Sequence, residues 1–339
     1  MKLFHVLVTT ALVGSLALGA AGLSAQDGDD HGVYVMLAEA VPGGFDEIVT
    51  SLEQAFEATE WQVVATYDVG IAEDDCSYRA HVLAVYNDDY AATLIQHNWL
   101  AAFALPVRLA VFEDEQGVHV TAMNPLSLNR TIVDETAVGS QSRQVLSQIQ
   151  EIVSLAFPGN TTAREYGQIR SRGLIGKTMG IMAGGPFPDK IDEVASVRAN
   201  GPEDLLETAD RLYAGLEELS GKRKWKTRPV YRLDLADHEM VIIGVGGEPM
   251  ETKAFAIVGS GGDASRKELA CPGLDHAPAF PVEIVLKYEG DRVRVYLIDE
   301  MFRMKMYFED AGKMKFAANM RMPGSIENEI RDKIEDSLF

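Results

Sequence analysis

Apolar residues along this chain change their spacing several times, and each change marks an expected element. Val33 to Ala38 is a continuous apolar run of the kind that fills a buried strand, and Pro42, Gly43 and Gly44 break it. Phe45, Ile48, Val49, Leu52, Ala55 and Phe56 then recur at helical spacing, with Asp46, Glu47 and Glu53 on the other face. Gln62 to Val69 and His81 to Tyr86 read as strands on either side of the acidic loop at Glu73, Asp74 and Asp75. The side chains of Asn87, Asp88 and Asp89 suit the free amides of a helix start, which predicts a helix to about Asn98. Val107 to Phe112 and Val118 to Met123 flank the hairpin signal at Asp114 to Gly117, and Val145, Ile149, Val153 and Phe157 mark a closing helix.

The second half echoes the first. The segment from Trp99 to Glu113 recurs as Leu274 to Tyr288 at an offset of 175 positions, with Pro106 matched by Pro281. A helix is expected from about Pro202, burying Leu205, Leu206, Ala209, Leu212, Tyr213, Leu216 and Leu219. Strands are expected over 230–235, 240–245 and 254–258, a hairpin over 282–298, further strand-like sequence over 301–322, and a closing helix through Ile326, Ile330, Ile334 and Leu338. The expected class is therefore α+β: two tandem related modules, each a mostly antiparallel sheet packed with amphipathic helices. Their expected limits are 31–158 and 190–339, with the Gly- and Arg-rich stretch 159–189 as the connection.

Residues 1–25 carry Lys2, an uncharged run from Leu3 to Leu23 and small residues at Ser24 and Ala25, the layout of a secretory signal cleaved near Ala25. No second long apolar run follows, so an exported periplasmic protein without a stable membrane span is expected. The chain sets 51 acidic against 31 basic residues, a net charge of −20. A field of that sign disfavours nucleic acid and anionic lipid as partners and leaves a small molecule, a protein or a second copy of the chain. Cys76 and Cys271 are the only cysteines, and in an oxidising compartment they are expected either to join the two modules or to stay as two buried thiols.

The first module resembles the domain of unknown function 302 family. The resemblance rests on the strand-turn-helix from His81 to Asn87, on Ala104, Leu105, Pro106, Val107 and Arg108 running to Glu113, and on Val118 to Asn124 and Pro125. The second module looks like a diverged copy that keeps Phe280, Pro281 and Val282 but has Glu283 where the first has Arg108. The resemblance implies a compact α+β domain and no settled activity. Family members often place a cysteine directly after the motif proline, where this chain has Val107 and Val282, so it implies no thiol chemistry at that position.

Candidate chemistry is sparse. Arg108, Pro106, His119 and Asn124 form the expected ligand-binding set around the motif, with Arg108 either an inward anchor for an anion or an exposed partner of Glu113. Glu283 in place of Arg108 means that the two modules do not bind one anion alike. Met301, Met304 and Met306 offer soft ligands for a copper ion, against which stands ordinary core packing. The six remaining histidines, His31, His81, His97, His119, His238 and His276, lack the spacing of a zinc site, and His31 is expected in a polar tail. Gly173 to Thr178 only brushes against a phosphate loop, and the basic run Lys222 to Lys226 is expected to close a helix end. No nucleophile elbow or His-Glu-x-x-His is present, and no cofactor is indicated. The expected function is non-catalytic binding of a small ligand or partner between the modules or beside the proline hairpins. The alternatives are periplasmic copper handling or redox-stress protection, and an enzyme of unrecognised type.

Overall fold

Strands β3 (Ala80–Tyr86) and β4 (Val107–Asp114) are apolar at nearly every position rather than at alternate ones, and the structure shows why: both of their faces are covered. The computed structural model describes residues 31–71, 76–133, 135–170, 185–259, 271, 273–311 and 313–339. With β1 (His31–Val41), β2 (Gln62–Asp68), β5 (Gly117–Met123) and β6 (Thr161–Arg170) they form an antiparallel sheet of order β2-β3-β4-β5-β1-β6. Helices α1 (Phe45–Glu57), α2 (Asp88–His97), α3 (Pro125–Ile132) and α4 (Glu135–Ala156) cover one face of it. Asn87 caps α2 by accepting from the Tyr90 amide at 2.9 Å, and Asn124 caps α3 by accepting from the Leu126 amide at 3.0 Å.

The second sheet contains β7 (Ile191–Arg198), β8 (Arg228–Leu235), β9 (Met240–Gly246), β10 (Val282–Glu289) and β11 (Arg292–Ile298), in the order β7-β11-β10-β9-β8. Read from the other edge this is β8-β9-β10-β11-β7, the order of β2-β3-β4-β5-β1 in the first sheet. Around it lie α5 (Asp204–Glu218), α6 (Glu248–Gly259), α7 (Glu300–Phe308), α8 (Lys313–Ala318) and α9 (Arg321–Leu338). Short 3-10 turns at Trp99–Ala104 and Leu274–Ala279 precede the two matched prolines, and both prolines follow cis peptide bonds.

Several expectations change. β6 lies inside the stretch expected as a connection and completes the first sheet beside β1, so the first module extends past 158. β7 was not foreseen, because Asp192, Glu193 and Arg198 leave it little apolar pattern. The expected strand at 254–258 is part of α6, and the strand-like stretch 301–322 is helical in α7, α8 and the start of α9. α6 and α7 are buried on most sides, which erases the polar face that identifies a helix in sequence. His31 belongs to β1 rather than to a tail, its Nδ1 3.1 Å from Glu165 Oε1. Residues 1–30 and 171–184, which hold the expected signal segment and the Gly173 to Thr178 motif, lie outside the described residues. No helix among the described residues is long and apolar enough to cross a membrane.

The sheet faces not covered by helices pack the modules together. Tyr34 donates to the carbonyl of Tyr307 at 3.1 Å, Trp99 lies 4.9 Å from Tyr296 between ring centroids, and Cys76 is disulfide-bonded to Cys271. At one end the Gly70 amide donates to Glu251, and Thr252 donates to the Gly70 carbonyl at 3.2 Å. A Cβ on Gly70 would fall on the backbone of Glu248, so Gly70→Ala must push the modules apart locally. It should cost about 2 kcal/mol in urea unfolding, as overpacking does; an unchanged midpoint would mean that this approach is slack.

Candidate functional site

The hairpin of β4 and β5 brings Asp114 and His119 side by side. His119 Nε2 lies 2.8 Å from Asp114 Oδ1, and the ring stacks on Phe112 with centroids 5.0 Å apart. The pairing of β1 with β5 is irregular between Ala38 and Val41, and this turns the Ala40 amide onto His119 Nδ1 at 3.3 Å. An amide can only donate, so Nδ1 is the bare nitrogen and Nε2 carries the proton that Asp114 accepts.

Facing this pair across a cleft of about 390 Å3 is the second module, with Gly273, Leu274, Asp275 and Asp310 on its wall. Behind that wall His276 is fully buried. Its Nδ1 is 2.9 Å from Asp275 Oδ1, and its Nε2 is 2.9 Å from Asp310 Oδ2. Both ring nitrogens are thus hydrogen-bonded to a carboxyl group, which clamps the ring between Asp275 and Asp310. Tyr34 meets it edge-on at 4.7 Å, and Tyr166, which stacks on Tyr34, donates to the Asp275 carbonyl at 2.6 Å. Gly167 must be glycine here, since it has a φ of +77° and its Cβ would strike the Tyr34 ring.

Among the described residues, Glu39, Glu113, Asp114, Asp275 and Asp310 line the cleft with the guanidinium of Arg164, which pairs with Glu39. Met36, Phe112 and Leu274 supply apolar wall between these charged groups. The corresponding place on the second sheet carries different residues. There Lys287, Glu289 and Arg294 hold the positions of Phe112, Asp114 and His119, and Lys287 Nζ sits 5.5 Å from the Trp99 ring centre.

Of the expected ligand residues only His119 reaches this cleft. Arg108 is fully buried, neither an anion anchor nor an exposed partner of Glu113. It forms an ion pair with Glu283, donates from Nε to the Pro278 carbonyl at 2.7 Å and from a terminal nitrogen to the Tyr307 hydroxyl at 3.1 Å. The residue that replaces Arg108 in the second module is thus its partner. Arg303 completes the cluster with Nε 3.5 Å from Glu283 Oε2 and a hydrogen bond to the Pro281 carbonyl at 2.9 Å. Pro106 sits at the head of β4, away from the cleft, and Asn124 donates to the Gly32 carbonyl at 2.9 Å while capping α3, a structural role.

Met301, Met304 and Met306 lie on α7, so Met304 and Met306, two apart on a helix, point in different directions rather than sharing a strand face. Met304 and Met306 are buried core residues. Among the described residues no three His, Cys, Asp or Glu side chains gather as a metal site. In the basic run Arg223 pairs with Asp332 and Asp336, while the Trp225 amide donates to Glu329 at 2.7 Å, which ties the end of α5 to α9. Sequence reasoning missed Asp275, His276 and Asp310. The available signal was that Asp275 and His276 stand where the first module has Leu100 and Ala101, two polar residues in an otherwise apolar frame.

Residues 37–156 match the family described as Domain of unknown function DUF302. A search of the curated proteins finds no match. Among solved structures, the crystal structure of an uncharacterized conserved protein DUF302 from Bacillus stearothermophilus aligns at 18% identity, covering 37% of this chain and 95% of that one, with a TM-score of 0.28. Over residues 37–156 the chain thus matches the DUF302 family model, and the His119 side of the cleft lies within the matched residues.

Proposed function

We propose that this chain binds a small organic cation in the cleft between its two modules and performs no chemistry on it. The observation that carries this reading is the charge of the cleft, where among the described residues five carboxyl groups stand against the one guanidinium of Arg164 around a partly apolar cavity. The volume of about 390 Å3 is at the small end of ligand sites, which suits an alkylammonium or diamine. The net charge of −20 raises the local concentration of cations around the whole molecule. In this reading the chain is exported, and the second module is a diverged second copy that has Lys287 and Arg294 in place of Phe112 and His119. The shared strand order and the matched prolines support the copy, and the composition of residues 1–25 supports export.

Calorimetric titration with 1,4-diaminobutane and with tetramethylammonium chloride tests it, with sodium acetate as the control. A cation should bind with a Kd below about 1 mM, equivalent to about −4 kcal/mol, and acetate should not. Asp114→Asn should weaken that binding about ten-fold, a loss of about 1.4 kcal/mol. Equal heats from acetate, or an unchanged Kd in the variant, would rule the reading out.

A further inference from the structure

We propose that the Cys76–Cys271 disulfide is a thiol-exchange site opened through the cleft by thiols that carry no negative charge. The bond joins the modules, yet it is not sealed in the core: both cysteines are half-buried, and Cys271 lines the cleft wall beside Gly273 and Asp275. Of the two cysteines, Cys271 is among the described residues lining the cleft and Cys76 is not. The Tyr78 amide donates to Cys76 Sγ at 3.3 Å, and the Tyr78 carbonyl lies 3.4 Å away, ready to accept from a thiol there. These contacts tie Cys76 Sγ to the Tyr78 backbone, whereas a thiol entering the cleft meets Cys271. Cys271, which faces the cleft, is therefore the sulfur attacked.

The exchange balances in two steps. An incoming thiolate forms a mixed disulfide with Cys271 while the S–S electron pair goes to Cys76, which takes up a proton from water. A second thiol attacks the sulfur that came from the reagent, frees Cys271, and leaves as an external disulfide, so two thiols are oxidised as one protein disulfide is reduced. The modules stay together afterwards, because the Arg108–Glu283 pair, the Tyr34–Tyr307 hydrogen bond and the Gly70–Glu251 contact do not pass through either cysteine. The carboxylates Glu39, Glu113, Asp114, Asp275 and Asp310 repel an anionic thiol on its way to Cys271 and admit a cationic one.

The test uses the oxidised full chain without denaturant. Cysteamine and 3-mercaptopropionate are compared, each rate divided by that thiol's rate with a small uncharged disulfide, and samples are quenched with iodoacetamide for mass analysis. Cysteamine should react about ten-fold faster after this correction at low salt, and the difference should shrink in 0.5 M salt as screening sets in. Peptide mapping should place the trapped mixed disulfide on Cys271, and circular dichroism and gel-filtration volume should not change. Equal corrected rates, an adduct on Cys76, or reduction only on unfolding would each overturn the proposal. None of these readouts involves cation binding, so the two proposals fail separately.

Discussion

Glu283→Ala should lower the stability of this protein by about 3 to 5 kcal/mol, seen as a fall in the urea midpoint with an unchanged slope. Glu283 is 1% exposed, and it lies between the guanidinium groups of Arg108 and Arg303, themselves at 0% and 2% exposure. Removing the carboxylate leaves two like charges facing each other away from water, which is the costly outcome; the original pairing need not itself stabilise the fold. Replacing all three residues together, Arg108→Met with Glu283→Leu and Arg303→Met, should therefore cost much less than Glu283→Ala alone, because no charge is left behind. If the single and triple replacements cost the same, the cluster acts through shape and not through charge.

The position of that cluster explains why its charges differ between the modules. Arg108 and Glu283 occupy matching places, second in β4 and second in β10, and they meet where the two sheets face each other. Matching positions meet in this way when two similar bodies pack about a twofold relation. Two first modules packed likewise would set Arg108 against Arg108, so opposite charges favour the contact within one chain over a pairing of like modules.

The helix of Phe45 to Phe56, the strands at Gln62 and His81, both proline hairpins and both closing helices were legible because one face of each meets water or a turn residue ends it. α6 and α7 were not, since a helix buried on most sides carries no alternation for a period to show. β6 was hidden by Arg164 and Glu165 on an edge strand, where polar side chains are tolerated. The cleft was half legible. The spacing of Asp114 and His119 across a hairpin is local, whereas the meeting of Asp275, His276 and Asp310 with them depends on how one module lies on the other. The Arg108–Glu283 pair was visible as a substitution between matching positions and was misread, because only the packing shows that the two residues touch.

Stability should fall as pH rises from about 5 to 8, against the usual behaviour of an acidic protein's paired carboxylates. Glu251 and Glu300 are both buried, and burial pushes each carboxyl up to about 7 from its ordinary 4.5. For Glu251 the amides of Gly70 and Gly247 offset only part of that cost; for Glu300 the pull of Arg303 is opposed by Glu327 and Asp299. A group whose folded value is raised holds its proton in the folded chain after the unfolded chain has lost it, so the folded state binds more protons throughout that window. The contribution is thus complete below about 4.5 and is lost as pH climbs through about 7. Each carboxyl accounts for about 3 kcal/mol between those limits, from about 1.4 kcal/mol per unit of pKa. Urea unfolding at pH 5 and pH 8 measures the fall, and Glu251→Gln and Glu300→Gln should each remove a share of it by taking away the titrating proton. A fall that persists in the double variant would place the titration elsewhere. For Glu251 the consequence reaches the module contact: above pH 7 its ionised oxygen strengthens the hydrogen bond from Gly70 while the buried charge weakens the fold around it. Gly70→Ala, which strains the same approach, should therefore lose more stability at pH 8 than at pH 5.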